Sequence, residues 1–288
     1  MLRWLLSSWL QGLARDRLRT AATEAARQQF AGQATAQTGS AEEVARADVA
    51  VVFALGIELG GFEDLLSGLV RTRGAGFTVR HGLLRERPIL VLETGAGSAA
   101  ARQAAEAIIA AHRPRWVISA GFSGGLQPRL KRGDIVMANS LVSSDHQSLT
   151  VDFSISEQAL AATSGLHVGR LLMTEQVILR AEEKERLGRE YDALAVDLES
   201  FAVAEVCRRE KVRFLAVRVI SDAMTEELPR EVERLIAPQS LSRRMGTAVG
   251  AVWNRPGSVK DMLKLREDAL TASDRLAKFL VGVVRQLE

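Results

Sequence analysis

The chain has 288 residues, 47% of them apolar, and a formal charge of +3 at pH 7. Arg3, Arg15, Arg17, Arg19 and Arg27 outnumber Asp16 and Glu24 by the whole of that excess near the N-terminus, so the rest of the chain is electrically balanced. A balanced body with 5% aromatic residues lacks the basic footprint and the stacking platforms of a nucleic-acid binder, and a single cysteine, Cys207, excludes an intrachain disulfide or a cysteine-based zinc site.

Residues 1–47 differ in kind from the rest of the chain. Leu2, Leu5, Leu6, Trp9, Leu10 and Leu13 form an apolar stripe at helical spacing, followed by arginines and then by a stretch rich in Ala, Gln, Thr and Gly up to Ser40. Ser7, Ser8 and Gln11 interrupt the stripe, which is too short and too polar to span a bilayer. No small-residue cleavage site follows a continuous apolar core, so an interfacial helix is favoured over a secretory signal. Two readings stay open: residues 2–13 touch a membrane surface, or the helix packs on the body or on a second subunit. The expected organisation is an extension over 1–47 and a folded domain over 48–288.

From Ala47 the pattern becomes regular. Strand-like apolar runs are expected at 48–55, 89–93, 115–120, 134–138, 169–173, 193–196 and 214–220, the last broken only by Arg218. Helical spacing is clear at 97–111 and 199–209, and 258–288 reads as one long helix with Met262, Leu263, Leu265, Leu270, Leu276, Phe279, Leu280 and Val283 on its apolar side. Alternating strands and helices predict an α/β protein with a mostly parallel or mixed sheet covered on both faces. The segment 226–254, with Arg243-Arg244 and the apolar cluster 249–253, has no assignable role. His81, His112, His146 and His167 are scattered without ligand spacing, so no metal is implied.

Acids stand beside several of these strands. In Ala195-Val-Asp-Leu-Glu-Ser-Phe-Ala202, Glu199 falls at a strand-to-helix junction; Ser221 and Asp222 end the next apolar run; and Phe53-Ala-Leu-Gly-Ile-Glu58 puts a third acid just past a strand. Ligands of open α/β sheets bind at the carboxyl ends of strands, where these acids lie. Taken singly, Glu199 is equally well a dipole partner in a first helical turn and Asp222 a helix cap. Thr94-Gly-Ala-Gly-Ser98 and Ser119-Ala-Gly-Phe-Ser-Gly-Gly-Leu126 read as glycine turns that let backbone approach a ligand, although neither is a Walker loop or a complete dinucleotide fingerprint.

In order and spacing, Glu58, Gly95-Ala-Gly97, Ala120-Gly-Phe-Ser-Gly-Gly-Leu126, Lys131-Arg-Gly-Asp-Ile-Val136, Val196-Asp-Leu-Glu199 and Ile220-Ser-Asp222 resemble the nucleoside phosphorylase superfamily. Within it, the likeness is to the 5′-methylthioadenosine/S-adenosylhomocysteine nucleosidases and covers residues 48–228 and the final helix. The resemblance implies a three-layer α/β/α phosphorylase-like fold with a central mixed sheet, a small-molecule nucleoside substrate and no cofactor. It also implies a cytoplasmic homo-oligomer, which the N-terminal stripe would hold at the inner membrane surface if it touches lipid.

By matching position, Asp222 is the acid that protonates the departing base, Glu199 accepts hydrogen bonds from the ribose hydroxyls, and Glu58 orients and deprotonates the attacking water. Asp222 must hold a proton near neutral pH, which a desolvated position beside apolar strand residues would arrange. Gly97, Phe122, Val177, Ile178, Leu198 and Ser221 complete the implied substrate site. Phosphate-using relatives place an arginine and a serine where this chain has Ser119 and Phe122, which favours water as nucleophile, while Phe122 departs from the nucleosidase pattern too. Arg102, Arg129 or an arginine of a neighbouring subunit would have to supply any missing charge. Two other readings stay open: a phosphorylase acting on a related, lipid-linked nucleoside, and a nucleoside-binding or scaffold protein without turnover.

Overall fold

The computed structural model describes residues 47–74, 76–153, 163–229, 232 and 257–287, with side chains of the final segment from 266 onward. The stripe at 2–13, the pair Arg243-Arg244 and the cluster 249–253 lie outside them. In chain order the described elements are β1 (Val49–Phe53), α1 (Gly56–Glu63), β2 (Ser67–Arg73), β3 (Thr78–Leu84), β4 (Arg87–Glu93), α2 (Ser98–His112) and β5 (Trp116–Gly125). Next come β6 (Ile135–Ser143), β7 (Ser148–Thr150), β8 (Leu166–Met173), α3 (Ala181–Glu190), β9 (Ala195–Asp197), α4 (Ser200–Glu210), β10 (Arg213–Asp222) and α5 (Gly257–Gln286).

The apolar runs form the middle of a mixed 10-stranded sheet. β1 lies between β4 and β5 and is parallel to both, while β3 and β2 extend the β4 side as antiparallel strands. On the other side the sheet closes on itself. β5 pairs with β10, β10 with β6, β6 with β8, β8 with β9, and β9 returns to the end of β5. An open sheet would spread the carboxyl ends of these strands along a row; the closed ring gathers them round one point.

Strand alternation sorts the core into layers. Val49, Val51 and Phe53 of β1 face one side, with Leu59 and Phe62 of α1 and Leu276 and Leu280 of α5. Ala50 and Val52 face the other, with Ala101, Ala104, Ala105 and Ile108 of α2 and Val203, Val206 and Cys207 of α4. A sheet with both faces buried needs near-continuous apolar strands, and these two packed faces make the three-layer α/β/α arrangement. Among the described residues, no helix is long and apolar enough to cross a membrane.

Several expectations need correction. The stretch 119–125 is not a turn: it continues β5 as strand, and its glycines serve close approaches to neighbouring side chains. Leu270 does not belong to the buried side of α5, being 48% exposed, because it lies six residues before Leu276, about 120° round the helix. Ala272, Ala277 and Val284 take that side instead. The helices α1 and α3 and the strands β2, β3 and β7 carry no clear sequence signal, α1 because three of its eight residues are glycine and α3 because seven of its ten are charged.

Glycine has a clear purpose in α1. A Cβ on Gly61 would sit 3.1 Å from the backbone of Asp274 in α5, closer than carbon atoms pack, and Gly61 N–H donates to Ser273 Oγ at 3.0 Å. Ser273 in turn donates to the carbonyl of Glu58 at 3.1 Å. Gly61→Ala is therefore expected to destabilise the protein by about 1–3 kcal/mol through overpacking against rigid backbone. Denaturant unfolding at constant m would measure it, and an unchanged midpoint would show that α1 and α5 do not interlock at this point.

Candidate active site

The carboxyl ends of β1, β5, β8, β9 and β10 surround a cavity of about 390 Å³ whose lining includes Glu58, Glu199 and Asp222. All three acids are at least nine-tenths buried, and each is held by a different device.

Glu58 lies in the first turn of α1 and reaches back over the helix start. One carboxylate oxygen accepts the N–H groups of Ala54 and Leu55 at 3.1 and 2.8 Å, and the other accepts the N–H of Phe122 at 2.9 Å. These donors are the otherwise unpaired amides of a helix N-terminus plus one from β5. Burial pushes the Glu58 carboxyl above its ordinary range, opposed by these N–H groups and by the charge of Arg218. β5 approaches so closely that a Cβ on Gly121 would lie 2.9 Å from the Glu58 carboxylate.

Glu199 is the residue from which α4 starts, and it accepts the N–H of Gly97 at 2.8 Å. Gly97 itself does not line the cavity; it acts through this bond. The bond depends on the glycine turn after β4, where Gly95 and Gly97 have φ of 81° and 102°, a region other residues avoid. Burial, then the nearby charges of Asp197 and Glu58, push the Glu199 carboxyl up to about 8, against the pull of Arg218 and the Gly97 N–H.

Asp222 ends β10 just past a register shift opposite Gly124, where the irregular strand re-aims its last side chains. It is 2% exposed, as desolvation required, but its surroundings are not simply apolar. Lys184 of α3 donates to one carboxyl oxygen at 2.5 Å and Ser221 Oγ donates to the other at 2.6 Å. Nothing in the sequence singles out Lys184, since it stands in a run of charges that reads as a solvated helix face.

Beneath the three acids lies a buried polar cluster. Arg218, 2% exposed, donates from Nε to Asp197 at 2.7 Å and from Nη2 to Ser119 and Ser200 at 2.8 and 2.9 Å, while Ser200 Oγ also donates to Asp197. Asp197 is a second residue that sequence reasoning missed. The available signal was Arg218 itself, because a guanidinium in an apolar strand requires a buried acid.

Phe122, Val177, Ile178, Leu198 and Ser221 all line the cavity, joined by Leu55, Ile57, Thr174, Gln176 and Leu228. Arg102 and Arg129 do not. Arg102 on α2 is paired with Glu205 of α4 at 2.5 Å, on the helical layer. The arginines in the lining are Arg132, held by Glu226 and Asp268, and Arg266. The histidines are less scattered than their spacing implied, since the rings of His81 and His112 meet at 5.1 Å, away from the cavity; burial and that neighbour lower His81 to about 4. Cys207 is fully buried, its thiol pushed up to about 12 by desolvation. Among the described residues, no group of His, Cys, Asp and Glu is placed to hold a metal ion.

A three-layer α/β/α sheet with a partly closed ring and an acid-lined cavity at its strand ends defines an α/β protein built round a small-molecule site. More particularly, the chain belongs to the phosphorylase superfamily, whose sequence model matches residues 48–248. Solved structures with this fold include the 5′-methylthioadenosine/S-adenosylhomocysteine nucleosidase of Helicobacter pylori, complexed with a substituted pyrrolidin-3-ol, at 21% identity and a TM-score of 0.64 over 84% of this chain and 99% of that one. The Neisseria meningitidis enzyme of the same name, in complex with methylthio-immucillin-A, is 18% identical with a TM-score of 0.64 over 83% and 99%. The futalosine hydrolase of Helicobacter pylori is 20% identical with a TM-score of 0.63 over 84% and 99%. At these identities the likeness establishes the fold.

The geometry sets two expectations. Gly121→Ala is expected to displace the Glu58 carboxylate and to abolish most site function while the protein still folds; ligand affinity equal to wild type would refute the close approach. Glu199 keeps its proton in the folded chain up to about 8 but releases it near 4.5 when unfolded. Its contribution to stability is thus full below that lower value and is lost as pH climbs through about 8, because the native state binds the extra proton. Glu199→Gln removes this dependence, so its Tm is expected to gain on wild type between pH 5.5 and 8.5, at about 2–4 °C per kcal/mol. Parallel Tm curves for the two proteins would show that Glu199 is not held in its neutral form.

Proposed function

We propose that this protein hydrolyses the N-glycosidic bond of a purine nucleoside such as 5′-methylthioadenosine or S-adenosylhomocysteine, releasing adenine. One observation carries the reading: three buried acids on three separate elements line one apolar-walled cavity large enough for a nucleoside. The names of the solved relatives with the same fold support the substrate class.

Breaking the bond between C1′ and the base sends its electron pair to the base and leaves positive charge on the sugar. Asp222 takes up a proton from solvent and gives it to the base, so that a neutral group departs. Glu199 accepts hydrogen bonds from the ribose hydroxyls, and when ionised its negative charge stabilises the positive charge growing on the ring. Glu58 takes a proton from water as the water oxygen bonds to C1′. One proton leaves Asp222 and one arrives on Glu58, and solvent exchange resets both. Val177 and Ile178 pack on the base, with Phe122 and Leu198 completing the apolar walls and Ser221 orienting the acid.

Water is favoured over phosphate by where the donors point. The N–H of Phe122 is used by Glu58, and Arg218 gives all three guanidinium nitrogens to Asp197, Val217, Ser119 and Ser200. A bound phosphate would need charge-assisted donors beside the sugar; of the lining arginines Arg132 is already held by Glu226 and Asp268, so Arg266 would have to serve, and Glu58 would repel the anion.

Adenine release from 5′-methylthioadenosine is expected without phosphate, and strict phosphate dependence would overturn the hydrolytic reading. Glu199→Gln is expected to lower kcat/KM by on the order of 10²-fold. Asp222→Asn is expected to cost about 10²–10⁴-fold on purine nucleosides and far less on a riboside with an activated leaving group. Equal losses on both substrates would remove Asp222 from the acid role.

A further inference from the structure

Lys184 is the largest surprise near the cavity. It is fully buried, it comes from the otherwise charged and solvated helix α3, and all three of its N–H groups are used. It donates to Asp222 at 2.5 Å, to the carbonyl of Glu226 at 2.7 Å and to the carbonyl of Ala223 at 3.1 Å. The helix is brought inward by a second feature one turn later. A Cβ on Gly188 would fall 2.2 Å from the carbonyl oxygen of Leu126, so only glycine lets α3 lie against the end of β5. On the strand side, Gly124 leaves the space into which the Asp222 carboxyl and the Lys184 stem fit, a Cβ there lying 3.2 and 3.8 Å from them.

We propose that Lys184 is a positioning residue for Asp222: it fixes the carboxyl through one oxygen and, by favouring the carboxylate both before and after transfer, makes the proton that Asp222 takes up from solvent easier to give to the base. The inference rests on the nucleosidase reading of the cavity. A purely structural tie between α3 and the turn after β10 would be made as well by an apolar side chain, since buried ion pairs add little net stability. An ammonium directed at one oxygen of the acid instead changes what that oxygen does. The carboxylate charge returns on bond cleavage in a dry site, where a fixed ammonium acts with little screening.

The test compares full-length wild type, Lys184→Met, Lys184→Arg and Lys184→Ala on two substrates, 5′-methylthioadenosine and the 4-nitrophenyl riboside bearing the same 5′-methylthio group. The nitrophenolate leaves without a proton, so it needs Asp222 little. Lys184→Met is expected to lose on the order of 10²-fold in kcat/KM on the nucleoside and only a few-fold on the nitrophenyl riboside. Lys184→Arg should recover part of the nucleoside rate, and methylammonium added to Lys184→Ala should restore it in a saturable way. Equal losses on both substrates with no amine rescue would overturn the role and leave a structural tie. If wild type cleaves neither compound, the nucleosidase reading falls and this role falls with it. If wild type cleaves both while Lys184→Met matches it on both, only the role of Lys184 is overturned.

Discussion

A guanidinium locked inside a central strand of the sheet constrains everything around it. Arg218 sits in β10 with almost no exposure, and an ionised group there is tolerable only if every donor is matched. Its partners come from three other places: Asp197 from the end of β9, Ser119 from β5 and Ser200 from the first turn of α4. These elements, with β10 itself, deliver Glu199, Phe122 and Asp222 to the cavity. Removing Asp197 would strand a buried charge at a cost of about 3–5 kcal/mol, far more than the ion pair itself contributes. The cluster thus makes the relative placement of the acids a condition of folding. It also acts through the field, drawing the Glu58 and Glu199 carboxyls toward ionisation while burial drives them the other way.

The second constraint is space. Glu58 and Asp222 press against β5 where Gly121 and Gly124 leave no side chain, and α3 touches it where Gly188 leaves none. β5 is therefore a strand stripped of Cβ atoms at the places where carboxylates and a helix must come near. The same residues that read as a flexible loop in a sequence are here part of a paired strand.

How much of this was legible depended on which physical signal each element carries. β1, β4, β5 and β10 are buried on both faces and so announce themselves as apolar runs; α2 and α4 show the spacing of a helix packed on one side. Glu58, Glu199 and Asp222 stood out because acids are rare beside such strands, and the structure brings all three together. α3 gave no such signal: nearly all its charges face water, and nothing local distinguishes Lys184 from Glu183 or Glu185. Its burial is decided by Gly188 and by the path of β5, which are tertiary facts. Asp197 was hidden in plain view, its partner Arg218 being the one charge that broke a strand. The ring closure from β10 to β5 and β6 likewise depends on pairings between distant segments that no local pattern encodes.

The link from Ser273 to the carbonyl of Glu58 joins residues 215 positions apart. The turn that carries Glu58 is thus braced by α5. Without α5, Glu58 would keep its backbone donors but lose this support, and Phe62 and Leu59 would lose part of their covering. The cavity is therefore complete only when α5 is docked on α1, however far apart the two lie in the sequence.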